Sequence, residues 1–136
     1  MKKFKRRYRG RRVCKDEESK AKSLQTAFRF ATDRKETLPI TDARKIVSNP
    51  PICPYCNKKI PYRDISIDHI QPRSRGGSSK PENLIFCDRN CNLAKGNLTG
   101  EEFTVLMNFL GGFTFMKNSI LQRLIAAGRV FGRGRR

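Results

Sequence analysis

Two pairs of cysteines restrict what the middle of this chain can fold into more than any other feature. Two residues separate Cys53 from Cys56, three separate Cys87 from Cys91, and thirty lie between the pairs. Each pair can turn its sulfurs towards one point, so together they can enclose a tetrahedral Zn²⁺ ion. A structural zinc can supply about 10 kcal/mol or more of folding free energy. The alternatives are buried thiols or a redox pair. The three-residue spacing of the second pair departs from the usual two, and Cys14 is given no role.

The sequence between the cysteine pairs predicts two strands and a short helix. Residues 65–70, with isoleucine at 65, 67 and 70, indicate a strand that Pro72 ends, and the apolar residues 84–86 indicate a second one. A loop rich in Gly, Ser and Pro joins them. Residues 88–95 can form a helix that Gly96 ends. We therefore expect a small strand–loop–strand–helix unit held by the predicted zinc.

Helical patterns precede this unit. Apolar residues recur at helical spacing within 16–32, with acidic residues near the start, where the helix dipole favours them. Thr41 and Asp42 are predicted to cap a short helix through Val47. The run 49–51, Asn-Pro-Pro, should end it.

Helical patterns also follow the unit. Thr99 is expected to cap a helix with an apolar stripe at Phe103, Leu106, Met107 and Leu110. A last helix is predicted over 118–127, with Gly128 as its C-cap. The predicted fold class is a small α+β domain, divided into a basic arm (1–15), a helical segment (16–51), a central module (52–99), C-terminal helices (100–128) and a basic tail (129–136).

The charge is concentrated at the two ends. Thirty Lys and Arg against twelve Asp and Glu give a formal net charge of +18. Residues 1–12 carry eight basic residues and residues 129–136 carry four, so the rest of the chain holds +6. Such arms are typical of proteins that bind a polyanion. Aromatic residues interleave with the basic ones of the arm, which favours nucleic acid over a solubilising tail, with Arg6, Arg7, Arg11 and Arg12 as predicted contacts.

The sequence gives no sign of a membrane partner or a secretory signal. Its longest apolar stretch, 103–116, is interrupted by polar and glycine residues, far short of the ~18 apolar residues of a spanning helix. We expect a cytoplasmic protein in a reducing compartment, where paired cysteines indicate metal binding.

The loop region also carries a candidate catalytic group. His69 is the only histidine in the chain, and imidazole titrates near neutral pH, which suits a general base. Asp68 and Asn92 offer hard oxygen ligands of the kind that Mg²⁺ or Mn²⁺ prefers. A buried structural histidine is the alternative for His69. The neighbouring aspartate and the loop that follows favour catalysis.

These residues lie in a recognisable pattern. Asp-His-Ile-x-Pro-x-Ser-x-Gly-Gly from Asp68, then Asn-Leu at Asn83, then Cys-Asn-x-x-Lys-Gly from Cys91, resembles the HNH nuclease family of the ββα-metal fold. The resemblance covers about 52–99 and is to the zinc-knuckle branch, found in phage and mobile-element endonucleases. It implies that His69 is the general base, that Asp68 and Asn92 hold one catalytic metal, and that Asn83 holds the loop between the strands.

One position departs from the name-giving pattern. Asn92 replaces the final histidine, which makes the chain an H-N-N variant, a form that also occurs in active members. An amide oxygen favours Mg²⁺ over the softer metals that imidazole suits. The resemblance implies hydrolysis of double-stranded DNA to 5′-phosphate and 3′-hydroxyl ends, with no small-molecule substrate.

Basic residues surround the pattern, and rival functions exist. Arg73, Arg75 and Lys95 are predicted nucleic-acid contacts, while Lys80 is equally a solvated surface residue. The main alternative function is a non-catalytic, zinc-stapled module that binds DNA or RNA. A basic packaging protein is a third. Oligomeric state and target sequence are not specified by the sequence.

Overall fold

The computed structural model describes residues 16–112 and 114–131. Its helices are α1 (Glu17–Ala31), α2 (Ile40–Ser48), α3 (Arg89–Lys95), α4 (Gly100–Gly111) and α5 (Thr114–Phe131). Its strands are β1 (Ile65–His69) and β2 (Leu84–Asp88). The predicted α+β fold class is confirmed. The predicted arm, with the predicted contacts Arg6, Arg7, Arg11 and Arg12 and with Cys14, lies outside the described residues.

The first two helices form an antiparallel pair. Asp16 caps α1 by accepting from the Ser19 backbone N–H at 2.8 Å, and two acidic residues occupy its first turn. The helix α2 begins one residue before the predicted cap. Pro39 is its N-cap and no side chain caps it, so the prediction that Thr41 and Asp42 cap this helix is wrong. Proline at this position fixes an extended backbone that leads directly into the helix.

The strands form a two-stranded antiparallel sheet. Ile65 lies opposite Asp88, and His69 lies opposite Leu84. A loop between them contains the short 3-10 turns Arg73–Arg75 and Pro81–Asn83. Asp88 then caps α3 by accepting from the Asn90 N–H at 2.8 Å. The predicted strand–loop–strand–helix order is therefore confirmed.

The last two helices cover this unit. Thr99 and Glu102 form a reciprocal capping box at the start of α4, as its sequence predicts. The helix α5 runs past Gly128, so the prediction that this glycine is a C-cap is wrong. A Cβ on Gly128 would lie 2.1 Å from the Leu93 carbonyl oxygen. This glycine therefore allows α5 to pack directly against the backbone of α3.

The core is shared between the two flanks and the cysteine-rich unit. Its fully buried apolar side chains include Leu24 of α1, Ile60 near the first cysteine pair and Phe103 of α4. Helix α1 packs on α2, and α3 packs on α5. No helix in the described part of the chain has the length and apolar character needed to cross a membrane.

Candidate active site and metal centre

Three of the four paired cysteines converge. The sulfurs of Cys53, Cys56 and Cys91 lie within 4.8 Å of one another. Four thiolates around Zn²⁺, each about 2.3 Å from the metal, lie about 3.8 Å apart, so this cluster fits a zinc centre with small adjustments. An isolated bridge between Ile52 and Lys59 closes the loop that carries the first pair. This bridge helps to position the turn that carries two of these sulfurs.

The protons of the cluster are unevenly shared. A hydrogen bond from the Cys91 thiol lowers the pKa of Cys53 to about 5, and the Asp88 backbone N–H also donates to its sulfur at 3.4 Å. The same hydrogen bond between Cys91 and Cys53 raises the pKa of Cys91, and burial raises the pKa of Cys56. Because zinc binds thiolates, metal binding here should release protons.

Cys87, the fourth predicted ligand, lies outside the converging set. It is fully buried on β2, opposite Ser66 of β1. Burial, followed by the negative charge of Asp68, raises the pKa of its thiol. The four-cysteine zinc shell therefore stays a prediction, with three ligands brought together by the structure.

Asp68 lies in a buried polar network. The residue is 5 % exposed, Tyr55 donates its hydroxyl to Oδ2 at 2.8 Å, and Lys95 donates from Nζ to Oδ1 at 3.1 Å. Lys95 also donates to the His69 carbonyl oxygen at 2.9 Å. Burial and the charge of Asp68 raise the pKa of Tyr55, which keeps its hydroxyl a donor. The network joins β1, α3 and the first cysteine pair.

Asn92 lies over the same face of β1 as Asp68. Its Nδ2 donates to Ser66 Oγ at 2.8 Å, and Ser66 and Asp68 share a face because alternate residues of a strand point the same way. The bond from Nδ2 leaves the amide oxygen of Asn92 as an acceptor. The structure thus brings the two predicted ligands of the catalytic metal to one face.

His69 projects from the opposite face of the strand. Its half-buried ring accepts at Nε2 from Arg73 Nε at 3.1 Å, and Ser79 Oγ lies 3.3 Å from the same nitrogen. Burial, followed by the Arg73 charge, lowers the pKa of His69 below its ordinary value. Nearby negative groups, Asp68 and Asp33, oppose this shift. Burial and the Arg73 charge therefore favour the neutral, basic form of the imidazole.

Asn83 connects the two ends of the loop that follows β1. Its Oδ1 accepts from the Gln71 N–H at 2.9 Å, while Nδ2 donates to the carbonyl oxygens of Gln71 at 2.9 Å and Ser78 at 2.7 Å. At Gly77 a Cβ would lie 1.8 Å from the Gln71 carbonyl oxygen, so a side chain does not fit there. These contacts fold the loop beside His69.

Residues 53–98 match the HNH endonuclease family. This HNH segment contains the cysteines, both strands, the loop and α3. Its two-stranded sheet, helix and cysteine cluster agree with the ββα-metal fold. The match associates the segment with nucleases and with action on nucleic acid. Comparisons with curated proteins and with solved structures give no match.

The basic residues of the HNH segment have different surroundings. Lys95 is 1 % exposed, so the prediction that it binds nucleic acid is wrong. Its amine donates hydrogen bonds to Asp68 and to the backbone of β1. Arg75 is exposed but bonds both oxygens of Glu102, with one contact at 3.1 Å. Arg73 is exposed and pairs with Asp33 at 2.6 Å. The two arginines remain predicted phosphate contacts.

Several residues that contact the predicted site residues could not be identified from the sequence. Tyr55 stands inside the Cys-Pro-Tyr-Cys turn, where an aromatic residue indicates only packing, and it does pack edge-to-face on Phe103 at 5.1 Å. Ser66 and Ser79 are ordinary strand and loop residues. Asp33 lies outside the HNH segment altogether. Only the folded chain brings these side chains to Asp68, Asn92 and His69.

Proposed function

We propose that the protein is a metal-dependent endonuclease that hydrolyses phosphodiester bonds of double-stranded DNA. The observation that carries the proposal is the arrangement at the end of β1. A neutral imidazole lies on one face of the strand, and two hard oxygen donors, Asp68 and Asn92, lie on the other. We place the scissile phosphate at the end of the strand, where groups from both faces can reach it.

His69 is proposed as the general base. Its lowered pKa keeps the ring ready to accept a proton near neutral pH. A water molecule takes the place of Arg73 at His69 Nε2 and attacks phosphorus while its proton passes to that nitrogen. The bond from phosphorus to the 3′-oxygen breaks, and this oxygen takes up a proton from solvent. The products carry 5′-phosphate and 3′-hydroxyl ends. Arg73, already beside the ring, can contact a phosphate oxygen.

Asp68 and Asn92 are proposed to hold Mg²⁺ or Mn²⁺. The donors fit a hard cation, because each oxygen of the Asp68 carboxylate accepts one hydrogen bond and keeps a further lone pair, and Asn92 presents an amide oxygen. When bound, such a cation neutralises charge on the phosphate and on the leaving oxygen. Lys95 and Tyr55 fix the carboxylate on the face that Asn92 covers.

The cysteine cluster is proposed to hold a structural zinc, and the basic arm to hold duplex DNA. The zinc stabilises the turn that carries Tyr55, and through it Asp68. Each chain carries one candidate site. We therefore expect one chain to nick one strand, whereas cutting both strands requires two chains or two successive events.

The test is a plasmid assay with purified protein and Mg²⁺. Supercoiled DNA should become nicked or linear with the wild type, and stay supercoiled with His69→Ala. Asn92→Ala should also lose cutting, while Asn90→Ala, at an exposed position of the same helix, should keep it. Cutting by His69→Ala would place the reaction elsewhere.

Metal removal separates the two proposed ions. Withdrawing Mg²⁺ should stop cutting and leave the circular dichroism spectrum unchanged, while stripping zinc should unfold the HNH segment. If one treatment did both, the assignment of two separate metals would be wrong.

A non-catalytic, zinc-stapled module that binds nucleic acid is the second candidate. The surroundings of Asp68 favour it, since the Lys95 ammonium already neutralises the buried carboxylate that a metal ion would have to bind. DNA binding without cutting, in Mg²⁺, Mn²⁺ and Ni²⁺ alike, would establish this function instead.

A further inference from the structure

The turn that follows α1 reaches the candidate base from outside the HNH segment. Arg73 donates from one guanidinium nitrogen to Asp33 Oδ1 at 2.6 Å and to the Ala31 carbonyl oxygen at 3.2 Å. Its Nε meanwhile donates to His69 Nε2 at 3.1 Å. One arginine thus connects the end of α1 to the ring of the proposed base.

The backbone of this turn is held in a conformation that residues other than glycine rarely adopt. Asp33 and Arg34 have φ values of 55° and 65°, both in the left-handed region. Thr32 is fully buried, its hydroxyl bonds the carbonyl oxygens of Phe28 and Glu36, and it accepts from the Glu36 N–H. The strained backbone is therefore fixed from within, and it presents the Asp33 carboxylate to Arg73.

The carboxylate has a second contact on the loop. A hydrogen bond from Ser79, and then the Arg73 guanidinium, lower the pKa of Asp33. Ser79 Oγ also lies 3.3 Å from His69 Nε2. Asp33, Arg73, Ser79 and His69 thus form a closed ring of polar contacts, which we name the Asp33 ring.

A recess opens beside this ring. It has a volume of about 550 Å³, and Lys35 and Lys80 contribute two further cations while Glu36 contributes a carboxylate. Ser78 and Ser79 also line its wall. Neutralised by Arg73, Asp33 does not oppose an anion there as strongly as an isolated carboxylate would.

We propose that Asp33 is a positioning residue for the proposed hydrolysis, holding Arg73 so that its guanidinium lies between His69 and the DNA phosphate that enters this recess. The inference rests on the proposed function. Asp33 itself does not contact the substrate. The Nε–H of arginine can only donate a hydrogen bond. His69 Nε2 must therefore be the acceptor, which places the ring proton of neutral His69 on Nδ1. The lone pair of the neutral ring then lies on Nε2, where it accepts from Arg73 in the free protein, and the attacking water takes the place of that guanidinium as Arg73 turns to the phosphate.

The ring tautomer can be measured directly, because His69 is the only histidine. We would record the ring nitrogen resonances of ¹⁵N-labelled, zinc-loaded full chain at pH 8, where the ring is neutral. The wild type should show the proton on Nδ1. Asp33→Ala should shift the population towards Nε2–H, since its Arg73 is no longer held. Arg73→Lys should do the same without altering the turn, because lysine lacks the planar fork.

The chain offers a matched control in Asp42. Its side chain is 48 % exposed, as is that of Asp33, and it pairs with Lys45 on α2. Asp42→Ala should leave the tautomer unchanged. At saturating DNA, Asp33→Ala should cut roughly 10-fold or more slowly, with DNA affinity within about twofold of the wild type, because misplacement of a reacting group lowers rate more than binding.

The outcomes separate the positioning role from the proposed function. A wild-type tautomer in both Asp33→Ala and Arg73→Lys overturns the positioning role, even if the enzyme cuts DNA. Equal effects of Asp33→Ala and Asp42→Ala overturn it too. A tautomer change in a protein that never cuts DNA supports the Asp33 ring and refutes the nuclease.

Discussion

The buried ion pair between Lys95 and Asp68 makes a strong prediction about stability. The Lys95 side chain is fully buried and that of Asp68 is 6 % exposed, with 3.1 Å between Nζ and Oδ1. Replacing lysine by methionine keeps an unbranched stem of similar length and removes the charge. Lys95→Met therefore leaves a carboxylate inside the protein with only Tyr55 as a donor.

The expected loss follows from that burial. Removing one partner of a buried pair costs about 3–5 kcal/mol, because the remaining charge is neither solvated nor paired. In a domain of this size 1 kcal/mol lowers Tm by roughly 3–4 °C, so Lys95→Met should unfold about 10–20 °C below the wild type. The double variant Asp68→Asn/Lys95→Met carries no buried charge. It should recover to within about 2 kcal/mol of the wild type.

The assay is urea and thermal unfolding of the four proteins in the cycle at one fixed concentration of free zinc, since bound metal adds to apparent stability. Lys45→Met is the control. Its side chain is 79 % exposed and lies 3.5 Å from Asp42, so its loss should stay below about 1 kcal/mol. A loss for Lys95→Met no larger than that of the control would refute the buried pair. A double variant as unstable as the single one would show that uncompensated charge is not the cause.

Three further predictions concern the base, the helix packing and the arm. Arg73→Gln removes a charge that lowers the pKa of His69, so, if His69 is the proposed base, the acid limb of the pH–rate profile should move to higher pH; an unmoved limb would contradict the contact. Gly128→Ala should destabilise the protein in thermal unfolding, although alanine is the better helix former, because its Cβ would meet the Leu93 carbonyl oxygen. Gly111→Ala, with nothing within 4 Å, is its control, and equal effects would rule out the close packing. Deleting 1–12 should flatten the salt dependence of DNA affinity by up to about seven in log–log slope, from its eight cations, and an unchanged slope in a binding titration would mean that the arm makes no phosphate contacts.

The secondary structure was largely accessible to sequence reasoning because its signals are local. Acidic residues near the start of α1, Gly96 after α3 and Thr99 before α4 marked these helix ends within about one residue. The errors arose where a distant contact replaces a local rule. Gly128 looks like a helix end, yet it lies inside α5, because a neighbouring backbone passes where its side chain would be.

The same difference between local signals and distant contacts applies to the candidate site. The sequence by itself determined which chemical groups the chain carries: two pairs of thiols, one imidazole and two hard oxygen donors, all named from residue type and spacing. The structure then brought three of the four thiols together. Only the tertiary structure decided how they are used. Burial turned Lys95 from a candidate phosphate contact into the counter-ion of Asp68, and strand alternation separated that aspartate from His69. Asp33 is linked to the same histidine through Arg73, which lies forty positions further along the chain. Such contacts depend on distances in space between residues far apart in sequence, which no local pattern records.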